Sequence, residues 1–274
     1  MFSLTTITPY WRRPATLRLW LNAVSDALLP GMKSMVVFVG DPIPDWVRPW
    51  RELPQFVFVH TKDVPGDRSI AHYHNLGAAQ ADTEWIMKLD VDTFPHVTYF
   101  HHLESIVQTA GKCEWFNGGM MYLTQAASSS YLCQPILEED YDHIVHNWSS
   151  YSSNGYPHPA ATNFVCRRKD YLSFGGCDSR FKGYGWEDYS QIYMLERHQL
   201  GNDPLPGPIT LQNVTQRCRD EISRRKALEL FRRNGKLCLF HHWHPTNTDQ
   251  FYRNARIMGA NRLVLLENIL TSRK

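Results

Sequence analysis

No apolar run in the 274 residues is long enough to cross a bilayer as a helix. A secretory leader is not expected either, because Phe2-Ser3-Leu4-Thr5-Thr6-Ile7-Thr8 already reads as a strand. The expectation is a cytoplasmic chain, of bacterial or viral type, with at most peripheral membrane contact. The six cysteines (113, 133, 166, 177, 218 and 238) contain no Cys-x-x-Cys pair, so reduced, buried thiols are expected rather than a disulfide framework. Asn147-Trp148-Ser149 and Asn213-Val214-Thr215 fit the N-glycosylation pattern, which has no meaning in a cytosolic chain. Internal repeats, low-complexity tracts and a clear linker are absent, which excludes solenoid architectures and favours one mixed domain.

What is present points to a well-packed body. Hydrophobic residues make up 43% and charged residues 20%, a balance that supports a sizeable core. Aromatics are 13% with nine Trp, most of them core, though some stand near the candidate site segments, where a flat apolar face could hold a sugar or a base. The formal charge of +2 hides an asymmetry. Residues 217–274 carry thirteen Lys or Arg against five acids, and residues 1–216 carry sixteen against twenty-two. A basic segment on an acidic body suggests either a polyanionic partner or a solvated helical face.

The first half alternates strands and helices. Leu4–Thr8 is a strand, Pro14 opens a helix with Leu17, Leu21, Val24 and Leu28 at helical spacing, and Met35–Val39 is a buried strand closed by Gly40-Asp41-Pro42. Phe56–Val59 is a strand, Ser69–Gln80 a helix, and Trp85–Leu89 a strand running into Asp90. Apolar strands separated by helices predict an α/β domain with a mostly parallel sheet covered on both faces. Ligands bind such sheets beyond the carboxyl ends of the strands, where Asp41 and Asp90 stand. Further on, residues 141–160 read as a long loop, 188–199 and 219–233 as helices, and Lys236–Phe240 as a short strand.

Three constellations carry chemistry. In an extended Asp90-Val91-Asp92, both carboxylates face one side and suit Mg²⁺ or Mn²⁺. Gly175-Gly176-Cys177-Asp178 and then Gly183-Tyr184-Gly185-Trp186-Glu187-Asp188 lead two acids to a helix N-terminus, which favours an ionised general base. In His241-His242-Trp243-His244, an extended backbone puts residues 242 and 244 on one face as candidate metal ligands. Each pattern also has an ordinary structural explanation, as a surface turn, an acidic helix start or a structural histidine.

Taken in order, the motifs resemble glycosyltransferases of the GT-A, Rossmann-like fold. Arg68 and Asn75-Leu76-Gly77-Ala78 precede the Asp-x-Asp strand as in that family's donor half. The Gly175–Asp188 segment is similar to the second signature of galactosyltransferase-type and chondroitin-polymerase-type members, with Trp186 where the galactosyltransferase pattern has Gly. The resemblance covers roughly residues 3–250. It implies a single domain with a nucleotide-sugar-binding half (1–112), an acceptor and catalytic half (113–250) and a basic C-terminal helix (251–274). It implies Asp92, Asp90 and His244, or alternatively His242, at a Mn²⁺ or Mg²⁺ ion. It implies Thr6, Thr8, Asp41, Arg68, Asn75, Asp90 and Trp186 around the donor, a nucleotide-diphosphate sugar of UDP type. Asp188 would be the base of an inverting transfer, and Glu187 would hold a sugar.

The acceptor expected is a glycan or lipid-linked sugar, or a hydroxymethylated base in DNA met through the basic 217–274 segment. An extruded base would need an aromatic pocket, which 141–160 could supply. A nucleotidyltransferase and a non-catalytic carbohydrate-binding protein are the competing readings.

Overall fold

The computed structural model describes residues 2–62, 69–131, 134–153, 163–183, 185–244 and 254–273. Strands β1 (Leu4–Tyr10), β2 (Lys33–Val39), β3 (Phe56–Thr61) and β4 (Trp85–Lys88) pair in parallel, in the order β3-β2-β1-β4. Strand β8 (Phe164–Arg167) runs antiparallel to β4, and β6 (Phe116–Asn117) antiparallel to β8, completing six strands. The mostly parallel α/β domain expected from the apolar runs is the observed one.

Strand β2 shows why those runs are continuous. Val36 and Phe38 enter one core with Trp20, Leu21 and Phe100, while Met35, Val37 and Val39 enter a second core with Ala71, Ile192 and Ile269. Successive side chains point to opposite faces, so a sheet covered on both sides needs apolar residues at every position. The Pro14–Ala27 helix begins on its proline and buries Leu17, Trp20, Leu21 and Val24. The Ile70–Gln80 helix is capped by the Ser69 hydroxyl, which accepts from the His72 amide. Gly77 lets this helix lie directly on β1, since a Cβ there would press into the Ile7 side chain.

A second, three-stranded sheet was not anticipated. It places β9 (Cys238–His241) between β5 (Thr93–Phe94) and β7 (Gly119–Tyr122), antiparallel to the first and parallel to the second. Strand β9 answers to the short strand expected over Lys236–Phe240, whereas β5 and β7 are too short for periodicity to mark them. The loop expected over 141–160 is corrected in part: Glu138–His146 and Trp148–Tyr151 are helices, and 154–162 lies outside the described residues. Glu138, Glu139 and Asp140 fill the first turn of the longer helix, and Tyr141 and Ile144 give it a buried i, i+3 face. The helix expected over 219–233 begins as a π-helical stretch, Cys218–Ser223, and continues as Arg224–Arg233. Cys166, Cys177, Cys218 and Cys238 are buried, and Cys113 is half-buried.

Strand order reverses between β1 and β4, because β2 and β3 lie on one side of β1 and β4 on the other. That switch point opens a crevice beyond the strand ends, where Tyr10–Arg13 and Lys88–Asp92 emerge. Gly77→Ala is expected to destabilise the protein by about 1–3 kcal/mol through overpacking against Ile7, read as a lower urea midpoint with an unchanged slope.

Candidate active site

The chain turns sharply after β4. The Thr93 amide bonds back to the Asp90 carbonyl at 3.0 Å, so Asp90-Val91-Asp92 is a turn, not the extended segment expected. The turn sends the two carboxylates to different neighbours.

Asp92 faces the end of β9. Its Oδ2 lies 3.1 Å from His244 Nε2 and its Oδ1 3.7 Å from His241 Nε2. Ligand atoms of Asp92, His241 and His244 all lie within 4.8 Å of one another. His241, not His242, is therefore the histidine that the structure groups with His244 and Asp92. Strand β9 ends at His241, so the alternation assumed for 242 and 244 does not apply. The His242 amide instead bonds to the Asp92 carbonyl at 2.7 Å, and its ring turns to Phe94.

Arg13 Nη1 sits 2.5 Å from Asp92 Oδ2 and 3.3 Å from His244 Nε2. A positive charge thus already occupies the point on which the carboxylate and an imidazole converge. Burial would raise the Asp92 pKa, but the His244 hydrogen bond and the charges of His241 and Arg13 hold it well below the usual carboxylate range. Burial lowers His241 against the pull of Asp92, keeping an imidazole lone pair available. One carboxylate and two imidazoles form a mixed O/N set that fits a divalent transition ion such as Mn²⁺.

Asp90 points towards a second cluster built on Lys88. The Lys88 ammonium, 3% exposed, bonds to Asp188 Oδ1 in the first turn of the Glu187–Leu200 helix. Burial opposes its charge, yet Asp188, Asp90 and Glu187 together hold its pKa above the ordinary lysine value. Asp90 is raised by desolvation to about 7, with Lys88 opposing and Asp92 and Asp188 adding to the rise. Desolvation and then Asp188 push Glu187 up to about 8. Glu187 is buried, and among the described residues its Oε2 has no hydrogen-bond partner.

The loop carrying these acids is held open by left-handed residues, Gly183, Gly185 and Trp186 at φ 58°, 107° and 76°. Trp186 occupies this glycine-favouring conformation because its ring is clasped from outside. Its indole N–H donates to the Met258 carbonyl at 3.0 Å, its ring stacks on Tyr189, and the Arg262 guanidinium lies over it. Asn261 accepts from the Lys182 amide and donates to the Lys182 and Gly185 carbonyls. Both contacts come from the Ala255–Ser272 helix.

The remaining candidates scatter. Thr6 and Thr8, expected around the donor, lie buried within β1, where they donate to Ser34 Oγ and the Leu89 carbonyl. Asn75 ties the Gly176-Cys177 turn to its own helix, donating to the Cys177 carbonyl and accepting from the Cys177 amide and the Tyr171 hydroxyl. Trp186 packs on the C-terminal helix. Asp41, exposed at the end of β2, pairs with Arg12 at 3.5 Å. Arg68 lies outside the described residues.

The Glycosyltransferase like family 2 model matches residues 52–255, most of the chain and nearly all of the cluster just described. The chain belongs to that family. Two solved structures show the same fold. S. aureus TarS 1–349 in complex with UDP superposes with a TM-score of 0.50 at 12% identity, over 73% of this chain and 55% of that one. GalNAc-T7 with UDP, GalNAc and Mn²⁺ gives 0.50 at 9%, over 71% and 40%. The chain thus spans about half the length of these proteins or less. No curated protein sequence matches it.

Arg13, Lys88 and His241 of this glycosyltransferase-family chain were not singled out from the sequence. A lysine closing an otherwise apolar strand was the one available sign for Lys88, because a buried ammonium requires a partner. The basic segment also looks different in three dimensions. Arg225 and Lys226 pair with Glu196, Arg233 with Glu114, Lys236 with Asp142 and Glu138, and Arg273 with Asp203. Much of its charge is spent on the acidic body. Among the described residues no helix is long and apolar enough to cross a membrane.

Lys88→Met leaves Asp188 unpaired and is expected to cost about 3–5 kcal/mol, measured by denaturant unfolding. Glu187 gives a signed pH effect. Its raised folded-state value means that its contribution is complete below the ordinary carboxyl value of 4.5 and lost as pH rises through about 8. Between those limits the wild type should lose melting temperature relative to Glu187→Gln; parallel melting curves would remove the buried-acid assignment.

Proposed function

We propose that the chain transfers a sugar from a nucleotide-diphosphate sugar to an acceptor hydroxyl with inversion at the anomeric carbon. The observation that carries this is the placement of two charge clusters side by side at the β1/β4 switch point, one shaped for a cation and one for a proton. Asp92, His241 and His244 would hold a divalent ion, of which Mn²⁺ suits two imidazoles better than Mg²⁺ does. Bound there, the ion would neutralise charge on the leaving diphosphate. Arg13, already at that point, supplies a second positive charge to the same oxygens. Asp41 and Arg12, at the neighbouring strand ends, face the nucleoside.

Asp188 accepts the proton from the acceptor hydroxyl as its oxygen attacks, and Lys88 fixes the carboxylate's orientation. Glu187 carries a proton at neutral pH and donates a hydrogen bond to a sugar hydroxyl. Asp90 stands between the clusters and faces the ribose or the ion. A uridine nucleotide is the first donor to test, since both fold neighbours above were solved with UDP. The galactosyltransferase-like and chondroitin-polymerase-like character is carried by Glu187-Asp188 behind two left-handed glycines. The pairing of the basic segment with the body favours a glycan or lipid-linked acceptor over DNA.

Donor identity is read from nucleoside-diphosphate release across UDP- and GDP-sugars with Mn²⁺. Asp92→Ala should abolish transfer and metal-dependent donor binding together. Asp188→Asn should keep donor affinity while losing roughly 10²–10⁴ in turnover; near wild-type turnover would sink the base assignment.

A further inference from the structure

At the opposite end of the Glu187–Leu200 helix, three side chains of different chemistry meet. The Cys113 sulfur, an Asp170 carboxylate oxygen and a His198 ring nitrogen all lie within 4.8 Å of one another. They come from the loop before β6, the Arg168–Ser173 helix and the last turn of the Glu187–Leu200 helix. His198 lies eleven residues beyond Glu187, roughly 16 Å along the helix axis, so this cluster shares no residue with the site above.

Each member is held in place. Cys113 has φ 58°, a left-handed conformation uncommon for a side chain with a Cβ. The surrounding turn enforces it: the Glu114 amide bonds to the Gly111 carbonyl, the Glu114 carboxylate accepts from the Gly111 amide, and Arg233 pins that carboxylate at 2.5 Å. Asp170 is 7% exposed, and among the described residues its one ion-pair partner is His198, at 3.4 Å. A buried carboxylate with a single, weakly basic partner is costly unless a stronger cation joins it. His198 is exposed and lines a cavity of about 280 Å³ with Phe174, Met194, Arg197 and Gly201.

We propose that Cys113, Asp170 and His198 bind a divalent cation of the zinc class. The thiolate selects a borderline-soft ion over Mg²⁺ or Ca²⁺, and sulfur, nitrogen and oxygen together form a usual zinc ligand set. Ligand bonds of about 2.0–2.3 Å require the three donors to close to about 3.3–3.8 Å of one another, a small movement for an exposed histidine. With three protein donors, water or a small exogenous ligand would complete a four-coordinate ion. Binding releases the Cys113 thiol proton and cross-links three segments that chain connectivity leaves separate. This site is independent of the transfer reaction proposed above.

Co²⁺ is the discriminating probe, because of the two candidate metal clusters among the described residues this one contains sulfur and the other does not. Titration of the full chain should produce a thiolate-to-cobalt charge-transfer band that saturates at one equivalent and is displaced by Zn²⁺. Asp92→Ala should retain the band, while Cys113→Ser and His198→Ala should lose it. Absence of the band in the wild type, or its survival in Cys113→Ser, overturns the proposal. A second reading needs no variant: Zn²⁺ should slow alkylation of Cys113 in the wild type, as read by peptide mass, and an unchanged rate overturns the site equally.

Discussion

One buried ammonium organises the catalytic end of this molecule. Lys88 closes β4 with its side chain almost wholly out of water, and three carboxyl groups crowd around it. A single positive charge cannot balance three negative ones in a poorly solvated pocket. Burial first, and then the neighbouring carboxylates, displace Glu187 and Asp90 upward, while Asp188 is hydrogen-bonded to the ammonium. Adjacent acids thus stand in different surroundings, Asp188 on the ammonium and Glu187 buried with an oxygen that has no hydrogen-bond partner among the described residues.

The turn after β4 then separates two charge clusters. Asp92 leaves the lysine cluster and joins Arg13, His241 and His244, while Asp90 stays within reach of both groups. The small second sheet supplies the geometry. Pairing of Thr93 with His241 fixes β9 beside the turn, and the bond from the His242 amide to the Asp92 carbonyl locks the register. The His241 and His244 imidazoles therefore reach a carboxylate that lies 149 and 152 positions earlier in the chain.

Legibility in the sequence followed the range of the forces involved. Strands β1 to β4 declared themselves because a sheet buried on both faces writes an unbroken apolar run into local sequence. The Asp90–Asp92 and Glu187–Asp188 pairs were visible for a related reason: acids directly following an apolar strand or a glycine turn are locally anomalous. The contacts that give those acids different roles were not visible. Lys88 meets Asp188 across 100 positions and Arg13 meets Asp92 across 79, and no periodicity encodes either. The histidines misled because alternation holds only inside a strand, and β9 stops at His241. Thr6 and Thr8 misled for the opposite reason, their hydroxyls being consumed within the sheet.

The clasp on Trp186 has a consequence for what counts as the functional unit. The region shared with the family ends at residue 255, where the last helix begins. Every acid and histidine of the active site lies inside that boundary, yet Met258, Asn261 and Arg262, which hold the strained loop bearing two of the acids, lie outside it. The matched region carries these acids and histidines, and the helix beyond it holds the loop that leads into two of them, so loosening that helix would loosen Glu187 and Asp188 without altering a single acid or histidine.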